Sequence, residues 1–154
     1  MRTEVYTALI AFITGSLAGG RGREESVTLS DLSIHKLGSP VGLRIESVSF
    51  KISGADAENL ECSAKNVAFP VPDTFLSCGK SDYAFTLRPG DHGEEFSLMI
   101  YHDVGDSHAD LRGGSDVPTV CDNSHGTGSA DEICTQGKPV TFKIDGPVGI
   151  TPDL

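Results

Sequence analysis

The sequence predicts an all-β domain, a single antiparallel β-barrel or β-sandwich stabilised by two local disulfides. Short runs such as Tyr83, Phe85, Leu87 and Phe96, Leu98, Ile100 place apolar residues at every second position, the period of a half-buried strand. Gly, Pro, Asp and Ser fill the intervals, as in "RPGDHG" (88–93) and "DNSHGTGSADE" (122–132). No stretch after residue 18 sustains apolar residues at i, i+3, i+4 and i+7; the best helical candidate, Ala55 to Leu60, allows a single turn at most.

Taken in order, residues 1–18 read as a secretory signal. Arg2 gives the positive start, Ala8 to Ile13 a short apolar stretch, and Ser16-Leu17-Ala18 the small residues a signal peptidase needs. The apolar run breaks at Thr14-Gly15-Ser16, well short of the roughly 20 residues of a membrane span. Residues 19–26 are expected to be a flexible leader, 27–145 the β domain and 146–154 a loosely held tail.

Within the domain, "VTLSDLSI" (27–34) alternates but slips phase between Leu29 and Leu32. "LRIESVSFKI" (43–52) slips between Ile45 and Val48. A strand that keeps one face buried across such a slip needs an extra residue, a β-bulge, and bulges bend sheets. Val140, Phe142 and Ile144 form the last alternating run. Such closely spaced strands fit a barrel or sandwich rather than a parallel sheet with crossover helices.

The chain has 154 residues, enough for one domain with a core. Its formal charge is -10, from 12 Lys+Arg against 22 Asp+Glu. That field repels phosphate backbones and anionic lipid, so neither nucleic acid nor a membrane is expected as a partner. With 38% hydrophobic residues and scattered acids, the composition is that of a folded protein and not of an acidic tail.

The four cysteines, Cys62, Cys78, Cys121 and Cys134, form an even set with three conceivable connectivities. In strand geometry Leu60 shares a face with Cys62, and Leu76 with Cys78, so both thiols turn toward the core. Cys121 and Cys134 bracket the loop richest in glycine and serine. These settings favour local pairing, Cys62 with Cys78 and Cys121 with Cys134, each worth about 3 kcal/mol by chain entropy. No Cys-x-x-Cys pair suggests redox or zinc-ribbon chemistry, and no Asn-x-Ser/Thr sequon is present.

His92, His102 and His108 lie among Asp91, Glu94, Glu95, Asp103, Asp106 and Asp110, a mixture that can bind divalent metal only if the side chains converge. Solvated loop acids are the commoner outcome, and no metal or cofactor is expected. "DVGDSHAD" (103–110) lacks the pattern of a calcium loop. No nucleophile elbow or zinc-protease helix occurs, so no catalytic residues are assigned and the chain is not expected to be an enzyme. Asp91 with Glu94 or Glu95 could serve a secreted hydrolase as a carboxylate pair, but the aromatics that hold sugars are scarce: there is no Trp.

Cys62-Ser63-Ala64, Ser77-Cys78-Gly79 and Cys134-Thr135-Gln136-Gly137, with "SVSFKI" (47–52) upstream, resemble the Alternaria major-allergen family over roughly residues 27–145. The resemblance implies a secreted fungal β-barrel with the two local disulfides. It also implies a role at a host surface, as an allergen or as an effector that engages an extracellular plant defence protein. Small phenolic ligands, and hence a carrier role, are the alternative it suggests. The family's extra cysteine near the mature N-terminus has no counterpart between Gly19 and Glu61, so no disulfide-linked dimer is expected. Recognition on such a scaffold falls to its loops. Arg88 to Glu95 and Asp103 to Asp116 are the long polar segments, and Asp110 and Arg112 are the candidate partner-binding residues.

Overall fold

The computed structural model describes residues 24–105 and 111–147, and every described element is a strand or a connection. In chain order they are β1 (Glu25–Ser39), β2 (Gly42–Gly54), β3 (Ala57–Val67), β4 (Leu76–Ser77), β5 (Tyr83–Pro89), β6 (Phe96–His102), β7 (Leu111–Asp116), β8 (Thr119–Asp122), β9 (Asp131–Gln136), β10 (Val140–Ile144) and β11 (Gly146–Pro147). All pairings are antiparallel. One sheet runs β3-β2-β1-β9-β8 with β10 also on β1, and the other runs β11-β7-β6-β5-β4. In Ala55–Leu60, the one helical candidate, Ala55 and Asp56 form a turn and Ala57–Leu60 open β3.

The phase slips are bulges. Ser30 faces Lys51 and Ser33 faces Ser49, so β1 carries one residue more than β2 between these points, with Asp31 at φ 56°. On β2, Glu46 is the extra residue between Ile45, opposite Lys36, and Ser47, opposite His35. Leu29 and Leu32, and likewise Ile45 and Val48, therefore all reach the core. The bend at Asp31 also splits β1 between two neighbours: Glu25–Leu29 pair with β10 and Ser33–Leu37 with β9.

The inner faces of the two sheets share one core of Val, Leu, Ile, Phe and the disulfides, in which Phe50 of β2 meets Phe85 of β5 edge-on at 4.9 Å. Covalent and backbone links tie the sheets, among other contacts. Cys62 of β3 is bonded to Cys78, just after β4, with both residues fully buried. Across the fold, Asp145 donates its amide to the Arg112 carbonyl as the chain passes from β10 to β11. Gly113 permits this approach, since a Cβ there would stand 2.3 Å from the Lys143 carbonyl.

Two expected boundaries move. The first strand opens at Glu25, inside the expected leader, because that carboxylate is buried and hydrogen-bonded. The strand pair of Gly146–Pro147 with β7 takes the first residues of the expected tail into a sheet. The expected signal, 1–18, lies outside the described residues.

Candidate functional site

The outer face of the second sheet carries aromatic, apolar and basic side chains side by side. On β5, Tyr83, Phe85 and Leu87 point into the core, which turns Ala84 and Thr86 outward. On β6, Phe96, Leu98 and Ile100 point inward, and Ser97, Met99 and Tyr101 outward. The register sets Tyr101 between Ala84 and Arg112, and Met99 between Thr86 and Gly114. Phe75, 62% exposed, meets the Tyr101 ring edge-on at 4.6 Å. Met99 lies over Gly114, and the Arg112 stem runs along Gly146.

The patch thus combines an exposed phenylalanine, a half-buried tyrosine and methionine, and an exposed arginine on a rigid sheet. These residue types dominate the energetics of protein interfaces. Beside Met99, Thr86 is itself buried.

Arg112 is therefore exposed as the sequence suggested, but it sits on strand β7 and not in a loop. Its segment reads as a turn because Gly113 and Gly114 follow it; one glycine admits β10 and the other lies under Met99. Asp110 lies outside the described residues. Phe75, Met99 and Tyr101 were not singled out by motif, although Met99 and Tyr101 stand out of phase with Phe96, Leu98 and Ile100 and so face outward.

His92 and His102 do not come together. His92 is on the surface near Asp116, His102 is buried, and His108 lies outside the described residues. Asp91 donates its amide to Asp116, and Glu95 is held by Lys36, at 2.6 Å, so this acidic segment is tied into the scaffold. Burial alone would lower the Lys36 ammonium, but Glu95 and Glu132 outweigh it and hold it above its ordinary range. Glu95 also approaches Cys121 and Cys134, but those two are bonded to each other and offer no thiolate to a metal.

A polar cluster is built at the start of β1. Glu25 Oε1 accepts the Tyr83 hydroxyl (2.5 Å) and the Ala55 amide (2.8 Å), while Oε2 stands 2.5 Å from His102 Nδ1. Tyr83 stacks on the His102 ring at 4.0 Å and 15°. Gly54 makes room, since a Cβ would lie 2.3 Å from Glu25 Oε1. Burial pushes the Glu25 carboxyl up, but its three hydrogen bonds prevail and hold it below the ordinary range. Burial, then the bond to Glu25, push the Tyr83 phenol up.

With this geometry in hand, comparison with known proteins places the chain. The family model for Alternaria alternata allergen 1 matches residues 29–134. The chain belongs to the Alternaria alternata allergen 1 family. It is 34% identical over 121 residues to effector protein PevD1 of Verticillium dahliae, across 79% of this chain and 72% of that one. Two crystal structures of the Alternaria alternata allergen Alt a 1 share its fold. One has TM-score 0.58 at 20% identity, covering 82% of this chain and 91% of the allergen. The other has TM-score 0.59 at 18% identity, covering 82% and 96%. Membership accounts for an all-β, disulfide-bonded fold in a family of fungal allergens and effectors.

Proposed function

We propose that this protein is a secreted fungal effector that acts by binding a host extracellular protein through the outer face of β5–β7, without catalysing a reaction. The observation that carries this reading is the Phe75–Tyr101–Arg112 patch, an exposed aromatic and arginine grouping on a sheet. Its kinship with effector protein PevD1 supports the same reading. Residues 1–18 serve as the export signal, and two buried-edge disulfides suit an oxidising, extracellular setting. The two sheets, tied at Asp145 and at Cys62–Cys78, act as a barrel-like scaffold that keeps the face rigid.

Arg112 offers a planar set of donors to a partner carboxylate, and Asp110, two residues upstream, belongs to the same proposed contact. The -10 charge steers a partner of net basic character toward the molecule, while Arg112 fixes register at close range. The test is capture from host apoplastic extract by the mature protein and by an Asp110→Ala/Arg112→Ala variant. Capture by the first and not the second supports the reading; equal capture moves the contact elsewhere.

A carrier reading has one observation in its favour. A pocket of about 560 Å³ between the β1–β2 hairpin tip and the 122–131 loop is lined by Leu37, Val41, Leu43 and Ala130, with Arg44 and Asp131. A small, mainly apolar phenolic compound fits such a lining. Binding of a phenolic probe that Val41→Glu abolishes would support the carrier.

A further inference from the structure

Phe75 presents its ring to solvent from a stretch of chain that is held at both ends. The residue is 62% exposed and rests edge-on against Tyr101. Upstream, Phe69 packs on Phe96 at 5.7 Å, and Pro70 and Pro72 each fix a backbone angle. Downstream, Leu76 and Ser77 pair with Phe85 and Ala84, and Cys78 donates its amide to the Tyr83 carbonyl at 2.9 Å. Cys78 is bonded to Cys62, and both are fully buried. Asp73, Thr74 and Phe75 themselves belong to no strand; the ladder begins at Leu76. A segment braced in this way has given up much of its conformational freedom before any partner arrives, and such preorganisation is a source of the affinity of protein inhibitors of proteases.

We infer that the segment from Asp73 to Ser77 is a substrate-like loop that blocks serine proteases with a hydrophobic S1 slot, Phe75 being the side chain that fills the slot. The inference rests on the reading of Phe75 as part of the partner-binding face, and it gives the host partner a class. A hydrophobic S1 slot accepts phenylalanine, and the main chain of Asp73–Phe75, outside the ladder, can pair with the protease as an added strand. The fold also explains why the outcome is inhibition and not digestion. Attack by the protease serine oxygen on the Phe75 carbonyl carbon breaks the Phe75–Leu76 bond, forms an acyl ester and passes the serine proton to the Leu76 amine. Leu76 stays paired with Phe85, and the Cys62–Cys78 bond joins the chain across the cut. The amine is therefore held beside the ester, reattacks it and restores both the peptide bond and the serine.

The test is hydrolysis of a chromogenic phenylalanyl anilide by chymotrypsin and by subtilisin, two unrelated serine proteases, after incubation with the disulfide-bonded protein. Micromolar or tighter inhibition of at least one is expected, with the chain recovered largely intact. Phe75→Ala, a change at an exposed residue, should weaken inhibition about 100-fold or more. Phe75→Arg should move inhibition to trypsin, whose S1 slot carries a carboxylate, a transfer that a merely structural role for Phe75 would not produce. No inhibition of either enzyme at ~10 μM protein, steady cleavage after Phe75 without inhibition, or equal inhibition by Phe75→Ala would each overturn the inference. Absent inhibition together with host-protein capture that still depends on Arg112 overturns the inference and leaves the partner-binding reading standing; loss of both removes both.

Discussion

Lys36 of β1 and Glu95, the residue before β6, hold each other at 2.6 Å and so join the two sheets at one end. The lysine side chain is 11% exposed and also reaches Glu132 at 2.9 Å. Removing the cation strands two carboxylates, one of them only partly solvated. Lys36→Ala should therefore cost about 1–3 kcal/mol in urea denaturation, less than a fully buried pair because Glu95 and Glu132 are each about a third exposed. Glu95→Gln, which leaves Glu132 in place, should cost clearly less.

All four cysteines are used in two intrachain bonds, Cys62–Cys78 and Cys121–Cys134. The mature protein should run at monomer mass on non-reducing denaturing gels, and a double-mass band that reductant collapses would contradict this. The Cys62–Cys78 bond ties β3 to the strand after it at the open side of the sheets. Replacing both residues with Ala should cost about 2–5 kcal/mol.

The 122–131 loop depends on Asp131, which accepts the Thr127 amide at 2.8 Å and faces His35 at 2.6 Å. The Thr127 amide first, and then His35, hold its carboxyl below the ordinary range. For a depressed carboxylate the stabilisation is present above the unfolded value and is lost as pH falls through the folded one. The protection factor of the Thr127 amide, its slowing relative to intrinsic exchange at the same pH, should therefore hold at neutral pH and fall below the ordinary carboxylate range. Asp131→Asn should show the lower protection factor already at neutral pH.

Much of the scaffold is legible in the sequence, and for stated reasons. A bulge leaves two apolar residues three apart, as at Leu29 and Leu32 or Ile45 and Val48, so the bent strands announce themselves. The paired sheets do not, because neither ladder geometry nor the crossing at Asp145 leaves a pattern in nearby residues. Glu25 reads as a solvated acid in a leader; its partners Tyr83 and His102 are 58 and 77 positions away, beyond any local signal. Arg112 was visible as a candidate through residue type alone. Its place on a strand was hidden by Gly113 and Gly114, whose role is to admit β10 and Met99 and not to turn the chain. Phe75 lies in an irregular connection where no period says which way a side chain faces.

The face around Tyr101 carries the proposed partner contact. Arg112→Ala and Tyr101→Ala remove side chains from the outer face and leave the inward residues untouched, so the melting temperature of Arg112→Ala should stay near that of the parent. The decisive measurement is the affinity of the isolated host partner for the parent and the Tyr101→Ala/Arg112→Ala variant, at matched salt and with folding verified by melting. The variant should lose about 2 kcal/mol or more of binding, some 30-fold in Kd. Parent-like affinity in the folded variant would contradict it.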